Sequence, residues 1–461
     1  MICVNKQKLC FLMAAVLMTG SLAGCGQETS KSGDTTTISV WTGDSHSKKL
    51  YDELVSNWNN TTGKEKGIYI DYQVKSGDSV GQMVELGLQN GDAPEFFGTG
   101  SMQKMIEEGY ISPIDELPGA EEYLKKYDGM LYENINTYQG KTYTVPVAAT
   151  TRGLLYNKDL FKACGIVDEN GEAKAPVTWD EVREAAKKLT DTSKQQYGII
   201  LPMKWAMWFS SDIVETMQSS SGHLGYDPVK NDYNYDVLVP VMKTYLGMKE
   251  DGSIFPGAES LDNDSARAQF AAGKIGMKMA YSFDVGVLND QFPAECDWGV
   301  APLPVVDENN RYLQKVNYAS SFYINSKAIE KCGADKVMEV YKFFTSDELI
   351  KKVYEAGLNI PYNFDIVKDC NTEKLPKGWK EFSEIVDISH MYPLGPSVDM
   401  GTNEDISTMF INEVWNGSKS CEEIVDTYES NVRAGREKYA KDHPEEDTNR
   451  YADPNWNIKR Q

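Results

Sequence analysis

Residues 38–108 read ISVWTGDSHSKKLYDELVSNWNNTTGKEKGIYIDYQVKSGDSVGQMVELGLQNGDAPEFFGTGSMQKMIEE, and this stretch decides the fold class. Residues 38–41 form a short apolar strand. In the following segment, 45–60, Leu50, Leu54 and Trp58 recur every fourth residue, which stacks them on one helix face. Ile68, Ile70, Tyr72 and Val74 then alternate with polar residues as a strand does. A second helix is expected from Ser79, a third strand at 94–97, and a third helix capped by Ser101 and running to Glu108. Strands and helices in this alternation build an α/β sheet with helices on its faces. Ligands of such sheets sit beyond the C-terminal strand ends, which here are the loops 42–46 and 98–101.

The same alternation continues downstream. Thr178-Trp179-Asp180-Glu181 is a capping box opening a helix with Val182, Ala185, Ala186 and Leu189 on one face. Ile275, Met277 and Met279 alternate as a strand before Tyr281, and residues 336–356 and 422–439 read as long amphipathic helices. A chain of 461 residues suggests roughly two to four domain-sized units. Nothing between 38 and 440 resembles a linker, so a second unit must be joined by short crossovers.

Composition excludes several classes of function. The 69 acidic against 47 basic side chains give a net charge of −22, which argues against nucleic acid as a partner because phosphate binding needs a basic surface. Charged residues run throughout, so the chain is not a polytopic membrane protein, and apolar and aromatic residues in every segment exclude low-complexity disorder.

The first 25 residues differ from the rest. Lys6 and Lys8 precede an apolar run, 9–18, too short to span a bilayer, and Leu22-Ala23-Gly24-Cys25 follows. These four residues resemble a bacterial lipobox, which implies a signal peptide at 1–24, cleavage before Cys25, and acylation of Cys25. Cleavage would remove two lysines and no acids, taking the net charge from −22 to −24. Residues 25–37 then read as the lipidated N-terminus and a polar tether. Of the eight cysteines, five remain beyond Cys25: Cys164, Cys296, Cys332, Cys370 and Cys421. They stand singly, without metal-ligand spacing, and are expected to be small buried residues without a disulfide framework.

Few motifs carry chemistry. Gly77-Asp78-Ser79-Val80-Gly81 has the spacing of a nucleophile elbow, but Asp78 or Ser79 as a helix N-cap explains the same residues. Gly98-Thr99-Gly100 lacks the third glycine of a dinucleotide fingerprint, although small residues there let a ligand approach a helix start. No metalloprotease, P-loop or EF-hand pattern occurs, so neither a metal nor a cofactor is expected. The aromatics say more. Trp58 and Trp179 read as packing, whereas Trp205 and Trp208, three apart in LPMKWAMWF, offer either core or the stacking face a sugar ring needs.

Eight segments in order resemble the carbohydrate-type extracellular solute-binding proteins of ABC importers, maltose-binding protein among them. They are ISVWTGD, QNGDAPEFFGTGS, EEGYISPIDEL, YQGKTYTVPVAATTRGLLYNKDLFKACGI, PVTWDEVREAAKKL, FAAGKIGMKMAYSFDVGVL, DWGVAPLPV and YKFFTSDELIKKV. The resemblance implies a two-lobed, periplasmic-binding-protein-like α/β fold of class II, with a ligand cleft between the lobes. By analogy lobe 1 comprises 38–147 and 319–367, and lobe 2 comprises 148–318 and 368–461. It further implies ligand contacts from Asp44, Ser45 and His46; from Gly100 and Ser101; from Thr150 and Arg152; from Trp205; from Tyr281, Phe283 and Asp284; and from the position of Asn403. Thr150 stands where the maltose-binding member has an acid, so maltodextrin specificity does not carry over. Arg152 is open to either an anionic sugar or a lobe carboxylate. The implied protein is a monomeric, non-enzymatic receptor on the outer face of the cell membrane, held by lipid alone. It captures a carbohydrate, an oligosaccharide in the first instance, and hands it to an importer permease. A secreted glycoside hydrolase is the alternative.

Overall fold

The computed structural model describes residues 35–460 apart from 46, 77, 78, 371, 393, 394 and 403. The signal peptide, Cys25, most of the tether, His46, Asn403 and part of the Gly77–Gly81 motif therefore lie outside the described residues, as does the side chain of Trp208.

The chain builds two principal sheets. The first has the order Ile68–Val74, Thr36–Thr42, Phe96–Phe97, Tyr323–Asn325, Ile111–Ser112. Its first three strands are parallel, and Tyr323–Asn325 runs antiparallel to both its neighbours. The opening strand begins at Thr36, two residues earlier than the apolar run suggests, because the Thr36 N–H reaches the carbonyl of Gly67 at 2.9 Å. Helices Lys48–Trp58 and Val80–Asn90 follow the first two strands as expected. Ser79 holds the N-cap position of the second, yet its hydroxyl donates to the carbonyl of Ser76 and does not cap.

The second sheet has the order Trp298–Ala301, Arg152–Asn157, Ile275–Tyr281, Tyr197–Ile199. Ile275–Tyr281 is buried along both faces up to Ala280, including Lys278, so its alternation marks a central strand and not a half-exposed one. The capping box at Thr178 and Glu181 forms, and the helix it opens, Trp179–Leu189, buries Trp179, Val182, Ala185, Ala186 and Leu189. Residues 336–356 are not one helix. Ala334–Phe344 stops, and Asp347–Glu355 restarts because Ser346 accepts the Leu349 N–H as a new N-cap. The last long helix spans Cys421–Asp442 and opens on a second capping box, Ser420 with Glu423. All five cysteines are free, with Cys332, Cys370 and Cys421 buried.

Three crossover segments lie side by side between the sheets. Pro146–Thr150 pairs antiparallel with Asn317–Ser320, and the Ala149 N–H donates to the carbonyl of Ile360 at 2.6 Å. Core membership changes along each passage. Val145 and Ile324 pack with the first sheet, while Ala149 and Val316 pack with the second. On the third passage Val353 belongs to the first core and Tyr354 and Ile360 to the second, so the change begins several residues before 367.

One buried carboxylate in the first lobe makes stability depend on acid. Glu95, 3% exposed, accepts from the Ser39 N–H at 2.7 Å and the Ser39 hydroxyl at 2.6 Å, and pairs with Lys331. Burial works against its charge, but the bonds from Lys331 and Ser39 outweigh burial and hold its pKa below the usual glutamate range. A depressed folded-state pKa gives stability that is complete above the unfolded value, about 4.3, and lost as pH falls through the folded one. Glu95→Gln is expected to cost about 1 kcal/mol at neutral pH. Its denaturation curve should converge on that of the wild type in acid, and a gap that persists there would contradict the assignment.

Candidate functional site

The loops after the first and third strands meet the crossovers around one cavity. Thr42 and Asp44 line it with Gly98, Ala148, Ser320 and Pro361, enclosing about 190 Å³. Asp44 is fixed by local bonds, its backbone N–H donating to Thr42 Oγ1 at 3.1 Å and its carboxylate accepting from the Ser47 N–H at 3.2 Å. Tyr51 and Tyr72 stack at 5.6 Å, and burial raises both phenols far above their ordinary range, aided by Asp44 at Tyr51 and by Tyr51 and then Asp44 at Tyr72. Ser45 is exposed. Gly100 has φ +120°, and a Cβ there would lie 2.8 Å from Met105 Sδ, so the close turn requires glycine. Ser101 is exposed at the N-cap position of Met102–Glu107, where its side chain makes no capping bond.

In the second sheet the register places Arg152 directly opposite Tyr281. The guanidinium lies over the Tyr281 ring at 4.6 Å, pairs with Asp212, and stands 3.7 Å from Glu215. Arg152 and Asp212 are 4% and 3% exposed. Burial alone would disfavour the arginine's charge, but Asp212 and its neighbours more than compensate and raise the pKa. Of the two readings open for Arg152, the structure provides the lobe carboxylate. Glu215 is the hub of this wall, taking the Tyr281 hydroxyl at 3.2 Å and Lys315 at 3.4 Å. Burial first, and then the Glu215 charge, push the Tyr281 phenol up to about 12 against the opposing pull of Arg152.

Tyr281 stacks on Phe283 with centroids 5.0 Å apart and planes at 17°, and Phe283 is 44% exposed. Asp284 lies beneath this pair, 1% exposed, and not at a surface. It accepts Arg267 Nε at 2.8 Å and the Tyr281 N–H at 3.4 Å, thereby anchoring the turn that carries both rings. Thr150 is half-buried and pairs with Asn317 across the crossover ladder. Trp205 is 51% exposed at the N-cap of Ala206–Ser221, the helix whose later turns carry Asp212 and Glu215. Lys204 lies over its ring at 5.2 Å. Trp58, Trp179 and Trp298 are buried, so Trp205 is set apart from these packing tryptophans.

Arg152, Tyr281, Phe283 and Asp284 thus come together in one wall, and Asp44 joins the opposite sheet's loops at the crossovers. Sequence reading missed Asp212, Glu215 and Lys315. The four-residue recurrence of Asp212, Thr216 and Ser220 through an apolar helix was the one available signal, since polar groups on a buried face need partners. Among the described residues no group of three or more His, Cys, Asp or Glu is placed to hold a metal ion, and no helix is long and apolar enough to cross a membrane.

Two sheets joined by three crossovers, with exposed aromatics on one side and strand-end loops on the other, define a two-lobed solute-binding protein. The bacterial extracellular solute-binding protein profile matches residues 44–351, and the chain belongs to that family. Among relatives, a binding protein of Brucella abortus (strain 2308) is 25% identical over 349 residues, covering 69% of this chain and 79% of its own. The maltotriose-binding protein of Pyrococcus abyssi is 24% identical over 301 residues, covering 64% and 60%. The sn-glycerol-3-phosphate-binding periplasmic protein of Brucella melitensis is 27% identical over 287 residues, covering 58% and 60%. Of solved structures, the Staphylococcus aureus extracellular solute-binding protein in complex with maltose superposes with a TM-score of 0.62 at 19% identity, covering 88% of this chain and 98% of that one. Apo RafE of Streptococcus pneumoniae gives 0.63 at 16%, covering 88% and 100%. These likenesses establish the two-lobed α/β fold.

Proposed function

We propose that the chain is a lipid-anchored extracellular receptor that captures a carbohydrate between its lobes and delivers it to an ABC importer permease, without chemical turnover. The observation that carries this reading is the exposed ring of Phe283 stacked on Tyr281 beside the hydrogen-bonding groups of Glu215, together with the exposed ring of Trp205 at the start of the helix that carries Glu215. Sugar C–H faces stack on such rings while the hydroxyls need directional polar partners. One relative is named for maltotriose and another for glycerol phosphate. The neutral sugar is favoured because the buried cation of this wall, Arg152, is already matched by Asp212.

Binding is conformational in this account. A ligand that touches Asp44, Ser45, His46, Gly100 and Ser101 on one side and Thr150 with the aromatic wall on the other gains all its contacts only when the lobes close. The lobes divide at 147/148, at 318/319 and within 354–367, and the position of Asn403 contributes from lobe 2. Thermal shift against neutral and acidic oligosaccharides tests the reading, since ligand at about 100 times Kd adds about 2.7 kcal/mol. Stabilisation with intact sugar recovered supports it, whereas catalytic turnover would favour the hydrolase alternative.

Anchoring is a separate matter and rests on Cys25 in Leu-Ala-Gly-Cys. Stable membrane attachment needs two or more acyl chains, which lipidation of that cysteine supplies. Cys25→Ala is expected to move the protein from the membrane pellet to the soluble fraction; full retention in the pellet would refute the anchor.

A further inference from the structure

A second cavity, of about 220 Å³, opens on lobe 2, and none of the residues read as ligand contacts lines it. Pro176, Val177, Pro302, Leu303 and Ile388 give it mainly apolar walls. For scale, an apolar cavity of about 150 Å³ accepts a benzene ring. Two guanidinium-bearing residues line it, Arg311 and Arg460. They are brought together by the C-terminal segment, which lies antiparallel to residues 311–313. Leu313 donates its N–H to Ile458 at 2.9 Å, and Arg460 donates its N–H to the Arg311 carbonyl at 2.9 Å.

The charges here are not balanced. Arg311 has Glu308 at 3.7 Å, a mostly exposed carboxylate, and Arg460 makes no ion pair among the described residues. Burial and the adjacent Arg311 charge lower the proton affinity of Arg460. Two neighbouring cations at a largely apolar pocket are unusual on a chain carrying a net charge of −22. The floor is firm. Gln314 takes the Leu303 N–H at 3.2 Å and donates to Thr151 Oγ1 at 3.0 Å and the Arg152 carbonyl at 2.6 Å, while Tyr312 donates its N–H to the Ser219 carbonyl at 2.9 Å.

We propose that this cavity is a second ligand site, for a small organic anion whose apolar body fills the pocket and whose carboxylate pairs with Arg311 and Arg460. A carboxylate matches the fork of a guanidinium, and charge-assisted bonds at a half-buried position are stronger than neutral ones. A neutral isostere would fill the same apolar space and accept a hydrogen bond through its carbonyl, but would gain no ion pair.

Calorimetric titration of the full chain with benzoate and benzamide tests the proposal. Benzoate is expected to saturate, with benzamide at least about tenfold weaker, the factor that roughly 1.4 kcal/mol represents. Arg460→Gln should weaken benzoate about tenfold, Arg460→Lys should retain part of the affinity, and Trp205→Ala should leave it unchanged. On the unmodified protein, rising salt should weaken benzoate and not benzamide, a comparison that holds even if a variant folds poorly. Absent saturation, equal binding of the two probes, or loss of benzoate binding in Trp205→Ala would each overturn the assignment.

Discussion

Asp212→Ala is expected to destabilise the protein by about 3–4 kcal/mol, the cost of leaving a buried cation without its partner. Arg152 is 4% exposed, and its Nε and Nη1 make no hydrogen bond among the described residues, so Asp212 carries most of its compensation. Glu215 stands at 3.7 Å and recovers a part, which places the expectation toward the lower end of the roughly 3–5 kcal/mol typical of broken buried pairs. In chemical denaturation this is a clear shift of midpoint at unchanged slope. Replacing both partners with apolar residues, Arg152→Met with Asp212→Leu, should restore most of the loss, because no uncompensated charge is then left inside. A double variant as unstable as Asp212→Ala would show that the pair serves packing and not charge balance.

Trp205→Ala is expected to weaken sugar binding by about 2 kcal/mol or more, roughly thirtyfold, as removal of an aromatic anchor does. The same change should cost less than about 1 kcal/mol of stability, because half of the side chain already faces solvent and little buried area is lost. Calorimetry for affinity and a melting curve for stability separate the two quantities. A large fall in melting temperature with unchanged affinity would return Trp205 to a packing role. Phe283→Ala offers a weaker version of the same test, since Tyr281 retains its own ring and its bond to Glu215.

The first sheet was legible because its strands and helices carry clean periodicities: Ile68, Ile70, Tyr72 and Val74 for the strand, Leu50, Leu54 and Trp58 for the helix. The break between Phe344 and Asp347 was written in Ser346-Asp347-Glu348, an N-cap with acids in the first turn, but an amphipathic stripe that continues through 353 masked it. Residue types left Trp205 open between packing and a stacking face, and only its exposure in the structure separates it from the buried tryptophans. Asp212 left only its polar recurrence with Thr216 and Ser220 as a trace and Glu215 and Lys315 left none, for these residues meet Arg152, Tyr281 and one another across separations of 60 to 100 residues. Local pattern holds no record of such pairings; only the register of Arg152 against Tyr281 and the seating of helix Ala206–Ser221 create them. Exposure divides the tryptophans in the same way, since Trp179 and Trp205 differ by their place in the packed lobe and not by their neighbours in sequence.

Lobe closure around an intact sugar is what separates a receptor from an enzyme here, and small-angle X-ray scattering with and without the most stabilising oligosaccharide measures it. A smaller radius of gyration is expected at saturation, with the sugar recovered unchanged and roughly thirtyfold more sugar needed for the same response in Trp205→Ala. An unchanged radius at saturating sugar, or a sugar recovered in cleaved form, would contradict it.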